Sequence, residues 1–164
     1  LIGCSIPILI FSQINFFNIQ ILTAIASMLA FLKWNWDPSK IFMGDCGSNY
    51  LGGLIFFCIL SKGEYLIDFK TIFIALPILL DCSICIVRRF LNKENIFIAH
   101  KKHLYQRLNQ EGMSHSNVAL IYIILCLANL LISFQNNLNI FILISLIEFL
   151  VFIYLDKSFA KKFI

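Results

Sequence analysis

The chain has 164 residues, of which 60% are hydrophobic and 13% are charged, with a net charge of +4 and a mean hydropathy of +0.86. A soluble domain usually carries about 25% charged residues, and a chain this apolar could not cover itself with polar surface. The composition therefore excludes an ordinary soluble domain and indicates an integral membrane protein. Nucleic-acid binding is not expected from the small positive charge, because basic residues beside membrane helices contact anionic headgroups.

Apolar segments recur along the whole chain, and most are close to the roughly 17–25 residues that a spanning helix needs. Spans are predicted near residues 14–31, 45–61, 69–87, 118–134 and 138–154. A shorter apolar stretch over residues 1–12 is interpreted as a truncated helix, because it lacks the basic start and small-residue cleavage site of a signal peptide. The predicted fold class is an all-α, polytopic membrane helical bundle of about five full spans plus this truncated first helix.

The basic residues are distributed unevenly between the predicted loops. Eleven of the thirteen Lys and Arg residues lie in residues 32–48, in residues 88–116 and after Tyr154. Loops rich in Lys and Arg face the cytoplasm. The sequence therefore predicts that both long polar loops, 32–48 and 88–116, and the C-terminus lie on the cytoplasmic side.

The first polar loop contains an acid between two glycines, directly before an apolar segment. Gly44 and Gly47 allow tight or positive-φ backbone around Asp45, and Ser48 is suited to the N-cap of the following helix. Earlier in the loop, Asp37 and Pro38 suggest a short helical turn. A carboxylate beside a helix start suits Mg²⁺ and substrate phosphates, although a capped interfacial turn with a solvated acid explains the spacing equally well.

The second polar loop carries His100, His103 and Arg107, which would share one face of a helix. Together they could donate hydrogen bonds to a diphosphate. A basic helix that touches anionic lipid is the alternative. Asp81, an acid within an apolar segment, is a further functional candidate. The cysteines, including the Cys82–Cys85 pair, are interpreted as small apolar side chains.

The segment from Asn35 through Pro38, the Phe-Met-Gly-Asp-x-Gly-Ser run that ends at Ser48, and Gly52 resemble one family signature. It is that of the polyprenyl-phosphate N-acetylhexosamine-1-phosphate transferases, glycosyltransferase family 4, which includes phospho-MurNAc-pentapeptide transferase. The later motifs of that family are similar to the Pro77–Asp81 stretch, the Arg88–Arg89 pair and residues 99–108.

The resemblance implies transfer of an N-acetylhexosamine-1-phosphate from a UDP-sugar to undecaprenyl phosphate, with release of UMP and a requirement for Mg²⁺. It implies a bacterial inner-membrane enzyme that initiates an O-antigen-like polysaccharide or a cell-wall glycan. Asp45 and His103 would be the catalytic residues, with Asp45 also the Mg²⁺ ligand or its organiser. The implied substrate-binding residues are Asn35, Gly44, Ser48, His100 and Arg107.

Two departures from the family pattern shape this prediction. Where several members have consecutive histidines, this chain has His103-Leu-Tyr-Gln, which is closer to the surface-polysaccharide branch and leaves the sugar open. The paired aspartates and a further acidic motif of the family do not occur in the sequence. The chain is therefore interpreted as the C-terminal part of a transferase domain of about ten or eleven spans.

This interpretation predicts partners and leaves other functions open. The chain is expected to need the missing N-terminal half of the same enzyme, besides the lipid phosphate, the nucleotide sugar and the membrane, and a homodimer is one candidate assembly. A catalytically incomplete relic and, with less support, a transporter subunit are the alternatives.

Overall fold

The computed structural model describes residues 2–15, 19–60, 69–98, 100–135 and 137–163. Within these ranges the chain forms eight α-helices and no strand. The helices are α1 (Ile2–Asn15), α2 (Ile19–Asn35), α3 (Gly44–Leu60), α4 (Phe69–Ile74), α5 (Leu76–Leu91), α6 (Leu104–Gln110), α7 (His115–Ser133) and α8 (Leu138–Ser158).

The predicted fold class, an all-α membrane helical bundle, is confirmed. Among the described residues, α7 and α8 are each long and apolar enough to cross a membrane. Large apolar side chains on α8 remain exposed, among them Leu138, Leu143 and Leu150. An apolar surface of this kind is stable against lipid rather than against water. The number of spans stays a prediction.

The chain forms two compact units. The first comprises Leu1–Ala75 and Ile123–Asn136, and the second comprises Leu76–Tyr122 and Asn137–Ile164. In the first unit α1 packs against α2, α3 and α4, and a buried cluster that includes Leu9, Ile25 and Leu51 joins three of these helices. In the second unit α5 packs against α6 and α8.

The apolar segment 69–87, predicted as one span, is divided into α4 and α5 by a break at Ala75. Pro77 explains the break, because a proline has no N–H to donate to the carbonyl four residues earlier and its ring clashes with that carbonyl. The carbonyl in question belongs to Phe73. It accepts a hydrogen bond of 3.0 Å from the side chain of Asn129, which is fully buried. The side chain thus satisfies a backbone group that the proline leaves unpaired.

Candidate functional site

Residues 36–48, called the aspartate segment here, follow the end of α2 and turn the chain back on itself. The backbone N–H groups of Lys40 and Ile41 donate to the carbonyl of Trp34 at 2.9 and 3.3 Å. The side chain of Asn35 donates to the carbonyl of Ile41 at 2.8 Å. Asn35 therefore closes the loop.

The helical turn predicted after Asp37 is not formed, since residues 36–43 contain no helix. The peptide bond between Asp37 and Pro38 is cis. The hydrogen bonds of this stretch run back to the end of α2, so its backbone groups are satisfied by loop closure rather than by a new helix.

Helix α3 begins at Gly44, four residues before Ser48, the predicted N-cap. Gly44 has a φ of 66°, a conformation that glycine adopts readily. This places Asp45 in the first helical turn, where its side chain is exposed. The Ser48 hydroxyl donates to the carbonyl of Asp45 at 3.1 Å. Ser48 is thus inside the helix, and the prediction that it serves as the N-cap is wrong.

Residues 92–107, called the histidine segment, begin where α5 ends. Lys93 has a φ of 57°, and the N–H of Glu94 donates to the carbonyl of Arg89 at 2.9 Å. This left-handed residue with its backward hydrogen bond is a common helix C-terminus. Glu94 also contacts the side chains of Arg89, at 3.3 Å, and Lys102, at 2.7 Å. The hydrogen bond from Lys102 is the main cause that lowers the pKa of Glu94.

Arg89 holds the first part of the histidine segment. Its guanidinium is almost completely buried and donates to the backbone carbonyls of Asn95, Ile96 and Ile98. The five fixed donors of arginine allow one side chain to satisfy several carbonyls in this way. Arg89 therefore binds the backbone of the first part of the histidine segment to α5.

Asp81 holds the second part of the segment, at the start of α6. One carboxylate oxygen accepts from the N–H of Leu104 at 2.8 Å, and the other accepts from the hydroxyl of Tyr122 at 2.8 Å and the N–H of Tyr105 at 3.4 Å. Asp81 is only 4% exposed, so it is a buried acid whose hydrogen-bond capacity is used. The functional candidate inside the apolar segment thus anchors the histidine segment.

His100, His103 and Arg107 do not share a helix face, contrary to the prediction. Helix α6 starts at Leu104, so His100 precedes it in non-helical chain and His103 is the residue before the helix. The two imidazole rings nevertheless stack, with centroids 5.0 Å apart. Burial lowers the pKa of His100, and the nearby charge of Arg89 acts in the same direction.

Arg107 forms an ion pair with Asp156. Its guanidinium also donates to the carbonyl of Lys161 at 2.8 Å. Arg88 binds the second oxygen of Asp156 at 2.6 Å. Burial lowers the pKa of Arg107, while the carboxylate of Asp156 acts in the opposite direction.

A cavity of about 420 Å³ lies within the second unit beside these charges. The polar and aromatic side chains that line it include Asp81, Arg88, Lys102, Arg107, Asp156 and Phe163. Three cations lie within 5.3–5.5 Å of the centre of the Phe163 ring, a distance at which an aromatic face attracts positive charge. Most of the cavity lining is apolar, and the three cations lie together around the Phe163 ring.

The predicted site residues are divided between the two units. Asn35, Gly44, Asp45 and Ser48 belong to the first unit, whereas the histidines and Arg107 belong to the second. Sequence reasoning missed Asp156, which is separated from Arg107 by 49 positions and carries no local motif. It also missed that Asp81 and Arg89, eight residues apart on α5, share a face.

The helices and these polar segments together define a membrane protein whose buried charges hold loop backbone in place. Residues 1–62 match the model of Glycosyl transferase family 4. The recognition made from the motifs is thereby confirmed over residues 1–62, which carry sequence of this family.

Curated relatives agree with this match. The chain is 41% identical over 109 residues to a Bacillus subtilis protein named probable undecaprenyl-phosphate N-acetylglucosaminyl 1-phosphate transferase, covering 63% of this chain and 30% of the relative. It is 34% identical over 90 residues to a phospho-N-acetylmuramoyl-pentapeptide-transferase of Chlamydia muridarum, covering 52% and 26%. The matched segments thus span less than a third of either relative. No solved structure matches the chain significantly.

Proposed function

We propose that the chain forms part of an enzyme that transfers an N-acetylhexosamine-1-phosphate from a UDP-sugar to undecaprenyl phosphate. In this reaction an oxygen of the lipid phosphate attacks the phosphorus next to the sugar, the phosphoanhydride bond of the UDP-sugar breaks, and UMP leaves. A sugar diphosphate remains on the lipid. The names of the relatives support this proposal.

One structural observation carries the proposal: Arg88, Lys102 and Arg107 line a single cavity. Reactions of this type depend on positioning and on neutralising phosphate charge, with little covalent work for the protein. Arginine suits phosphate because its planar donors bind two oxygens at once. Positive charge held at fixed positions, with Arg107 buried and Arg88 and Lys102 partly exposed, suits the negative charge of a nucleotide diphosphate.

Asp45 is proposed as a catalytic residue and as the ligand or organiser of Mg²⁺. The residue fits this ion, because it offers exposed carboxylate oxygens at the start of α3 and, within the described residues, forms no ion pair. Mg²⁺ binds through one or two carboxylates together with substrate phosphates. When bound, it would neutralise negative charge on the transferred phosphate.

The remaining predicted site residues are proposed to bind the substrate or to shape the aspartate segment. His103 and His100 would contact the nucleotide sugar, with Arg107 in support. Gly44 would allow close backbone approach, and Ser48 and Asn35 would shape the aspartate segment. The site is proposed to lie on the cytoplasmic face of a bacterial inner membrane, where UDP-sugars are available.

The substrate sugar is proposed to be N-acetylglucosamine or a related N-acetylated deoxy-sugar, used to start a surface polysaccharide or cell-wall glycan. The reaction is also proposed to need the part of the enzyme that this chain does not match. Since the matched segment covers 30% of the Bacillus subtilis relative, we expect the chain alone to be inactive. The assembled enzyme could then act as a monomer or as a homodimer.

The test is exchange of labelled UMP with UDP-N-acetylglucosamine in membranes that lack related enzymes. This chain is expressed alone and as a fusion behind the part of the Bacillus subtilis relative that precedes the matched segment. We expect Mg²⁺-dependent exchange from the fusion only. Exchange by the chain alone would refute the requirement for a further part, and a folded fusion without exchange for any UDP-N-acetyl sugar would refute the transferase function.

Variants of the active fusion assign the roles. Asp45→Asn should abolish exchange while the protein remains folded in the membrane, whereas Asp37→Asn, in the same segment, should leave exchange within about twofold. His103→Ala should mainly raise the Michaelis constant for the nucleotide sugar. Wild-type exchange in Asp45→Asn would remove this residue from the site, and unchanged kinetics in His103→Ala would favour a lipid contact instead.

A further inference from the structure

A cysteine and two histidines, side chains that bind transition metals well, lie close together in the second unit. One ligand atom each from Cys85, His100 and His103 falls within 4.8 Å of the other two. Cys85 is 3% exposed and belongs to α5, while both histidines belong to the histidine segment. The group therefore joins a helix to the loop that packs on it.

The fold places the histidines over the thiol for a definite reason. Asp81, Cys85 and Arg89 are spaced by four residues on α5, so they follow one another along one helix face. Asp81 binds the start of α6, and Arg89 binds the beginning of the histidine segment. Because the segment is held on both sides of Cys85, the chain between the two anchors lies over the sulfur.

The two imidazoles are available as ligands. Nδ1 of His103 is buried and, among the described residues, accepts or donates no hydrogen bond. Asp81 Oδ1 lies 3.6 Å from this nitrogen. A carboxylate beside one ring nitrogen orients a histidine that binds metal through its other nitrogen, so Nε2 of His103 would be the ligand atom. Nδ1 of His100 accepts a long hydrogen bond of 3.3 Å from the N–H of Lys102, which a metal ion at this nitrogen would replace.

We propose that Cys85, His100 and His103 form a binding site for a divalent transition-metal ion of the zinc type. A thiolate and two imidazoles are ligands that Zn²⁺ and Co²⁺ prefer, whereas Mg²⁺ prefers oxygen. The site is therefore separate in chemistry from the Mg²⁺ site proposed at Asp45. Ligand atoms around tetrahedral zinc lie roughly 3.5 Å apart, so the three residues need to approach by little more than about 1 Å.

Three protein ligands leave a fourth position for water or another small ligand. A bound ion would add a direct link between α5 and the histidine segment, beside the contacts of Asp81 and Arg89. It would also occupy His103. If the proposed function is correct, zinc occupancy and nucleotide-sugar binding should therefore compete for this residue.

The experiment measures metal binding by the full chain purified in detergent without an affinity tag, so it does not depend on transferase activity. Addition of Co²⁺ should give the visible bands of tetrahedral cobalt and a near-ultraviolet thiolate-to-cobalt band, both saturating at one ion per chain. Zn²⁺ should displace the cobalt and abolish both signals. Absence of the thiolate band in the wild-type chain would overturn the proposal.

Variants identify the ligands. Cys85→Ser should abolish the thiolate band, and it should weaken metal binding beyond the roughly 10- to 100-fold typical of losing a residue behind the ligands. His100→Gln, at a half-buried position, should weaken binding without disturbing the helix core. Cys82→Ser and Cys46→Ser are the matched controls, because these free thiols lie outside the group.

The controls should retain both the thiolate band and the wild-type affinity for Co²⁺. Circular dichroism establishes that each variant keeps its helix content. A thiolate band that survives in Cys85→Ser, or one that disappears in Cys82→Ser or Cys46→Ser, would place the sulfur ligand elsewhere and refute the site. Unchanged affinity in folded His100→Gln would likewise contradict the proposed ligand set.

Discussion

The aspartate segment and the histidine segment each connect two helices and include the first turn of the second one, but they are held in different ways. The aspartate segment is closed by its own backbone and by the neutral side chain of Asn35, and Asp45 remains exposed. The histidine segment is held by two buried charges on a neighbouring helix, Asp81 and Arg89. One loop thus depends on local contacts and the other depends on α5.

This difference means that the side chains of the histidine segment are held in fixed positions, whereas Asp45 is not. Burying a charge is unfavourable unless hydrogen bonds satisfy it, and Asp81 and Arg89 are satisfied by backbone groups of the histidine segment. The segment and α5 therefore stabilise each other. Asp45 is exposed and is not held by contacts of this kind.

Among the variants that test this difference, Asp81→Ala should lower the free energy of unfolding most. The substitution leaves the N–H of Leu104 and the hydroxyl of Tyr122 buried without their acceptor. Since hydrogen bonds to a charged group contribute about 1.5–3 kcal/mol each, the free energy of unfolding should fall by about 3–5 kcal/mol. Chemical denaturation in detergent micelles measures this change.

Tyr122→Phe is the matched control for Asp81→Ala. It removes one hydrogen bond to the same carboxylate and should lower the free energy of unfolding by about 1.5–3 kcal/mol, roughly half the effect of Asp81→Ala. If both variants were destabilised equally, Asp81 would not be holding the start of α6.

Arg89→Lys should have the next largest effect, because an ammonium group cannot reproduce the bonds of the guanidinium to several carbonyls. We expect a loss of about 2 kcal/mol in the free energy of unfolding. Arg88→Lys provides the comparison. Arg88 is one-third exposed and is bound to Asp156, so its replacement should cost less than about 1 kcal/mol. A reversed order of the two effects would contradict the anchoring role of Arg89.

A smaller effect is expected from Asn35→Ala, which removes one neutral hydrogen bond from the aspartate segment. The free energy of unfolding should fall by about 1 kcal/mol or less. Amide exchange in residues 36–43 should accelerate, while exchange in the histidine segment should not change. Faster exchange in both segments would show that the two loops are not independently held.

Glu94→Gln should mainly change how the stability of the histidine segment depends on pH. The pKa of Glu94 is lowered in the folded chain, chiefly by the hydrogen bond from Lys102. Its contribution to stability is therefore present above the ordinary glutamate value of about 4.3 and disappears as the pH falls through the lowered pKa. Amide exchange of the histidine segment, corrected for intrinsic rates, should rise in this acid range in the wild-type chain. In Glu94→Gln this rise should be absent, and an identical pH profile would exclude Glu94 as its cause.

The sequence predicted the helical class because apolar segments and polar loops alternate clearly. It also drew attention to Asn35, Asp81 and the two histidines, which the structure places in specific contacts. The predicted helical turn after Asp37 and the shared helix face of the histidines were wrong. Both predictions assumed a helix in these stretches. Their backbone groups instead form hydrogen bonds with the end of α2 and with the side chain of Arg89.

One contact could not be predicted from the sequence, and one informative spacing in the sequence was not used. The pairing of Arg107 with Asp156 depends on tertiary packing between residues distant in sequence, and no local spacing indicates it. The four-residue spacing of Asp81, Cys85 and Arg89 was visible in the sequence. It would have indicated a polar face on an apolar helix, which needs a polar partner.

Hydrogen–deuterium exchange tests most directly the central claim that α5 holds the histidine segment in place. In the wild-type chain, residues 100–105 should exchange much more slowly than residues 36–43, because the amides of Leu104 and Tyr105 donate to buried Asp81. In Asp81→Ala this protection should disappear from residues 100–105, while exchange of residues 36–43 should change little. Equal exchange of the two segments in the wild-type chain, or protection that survives in the variant, would contradict the account.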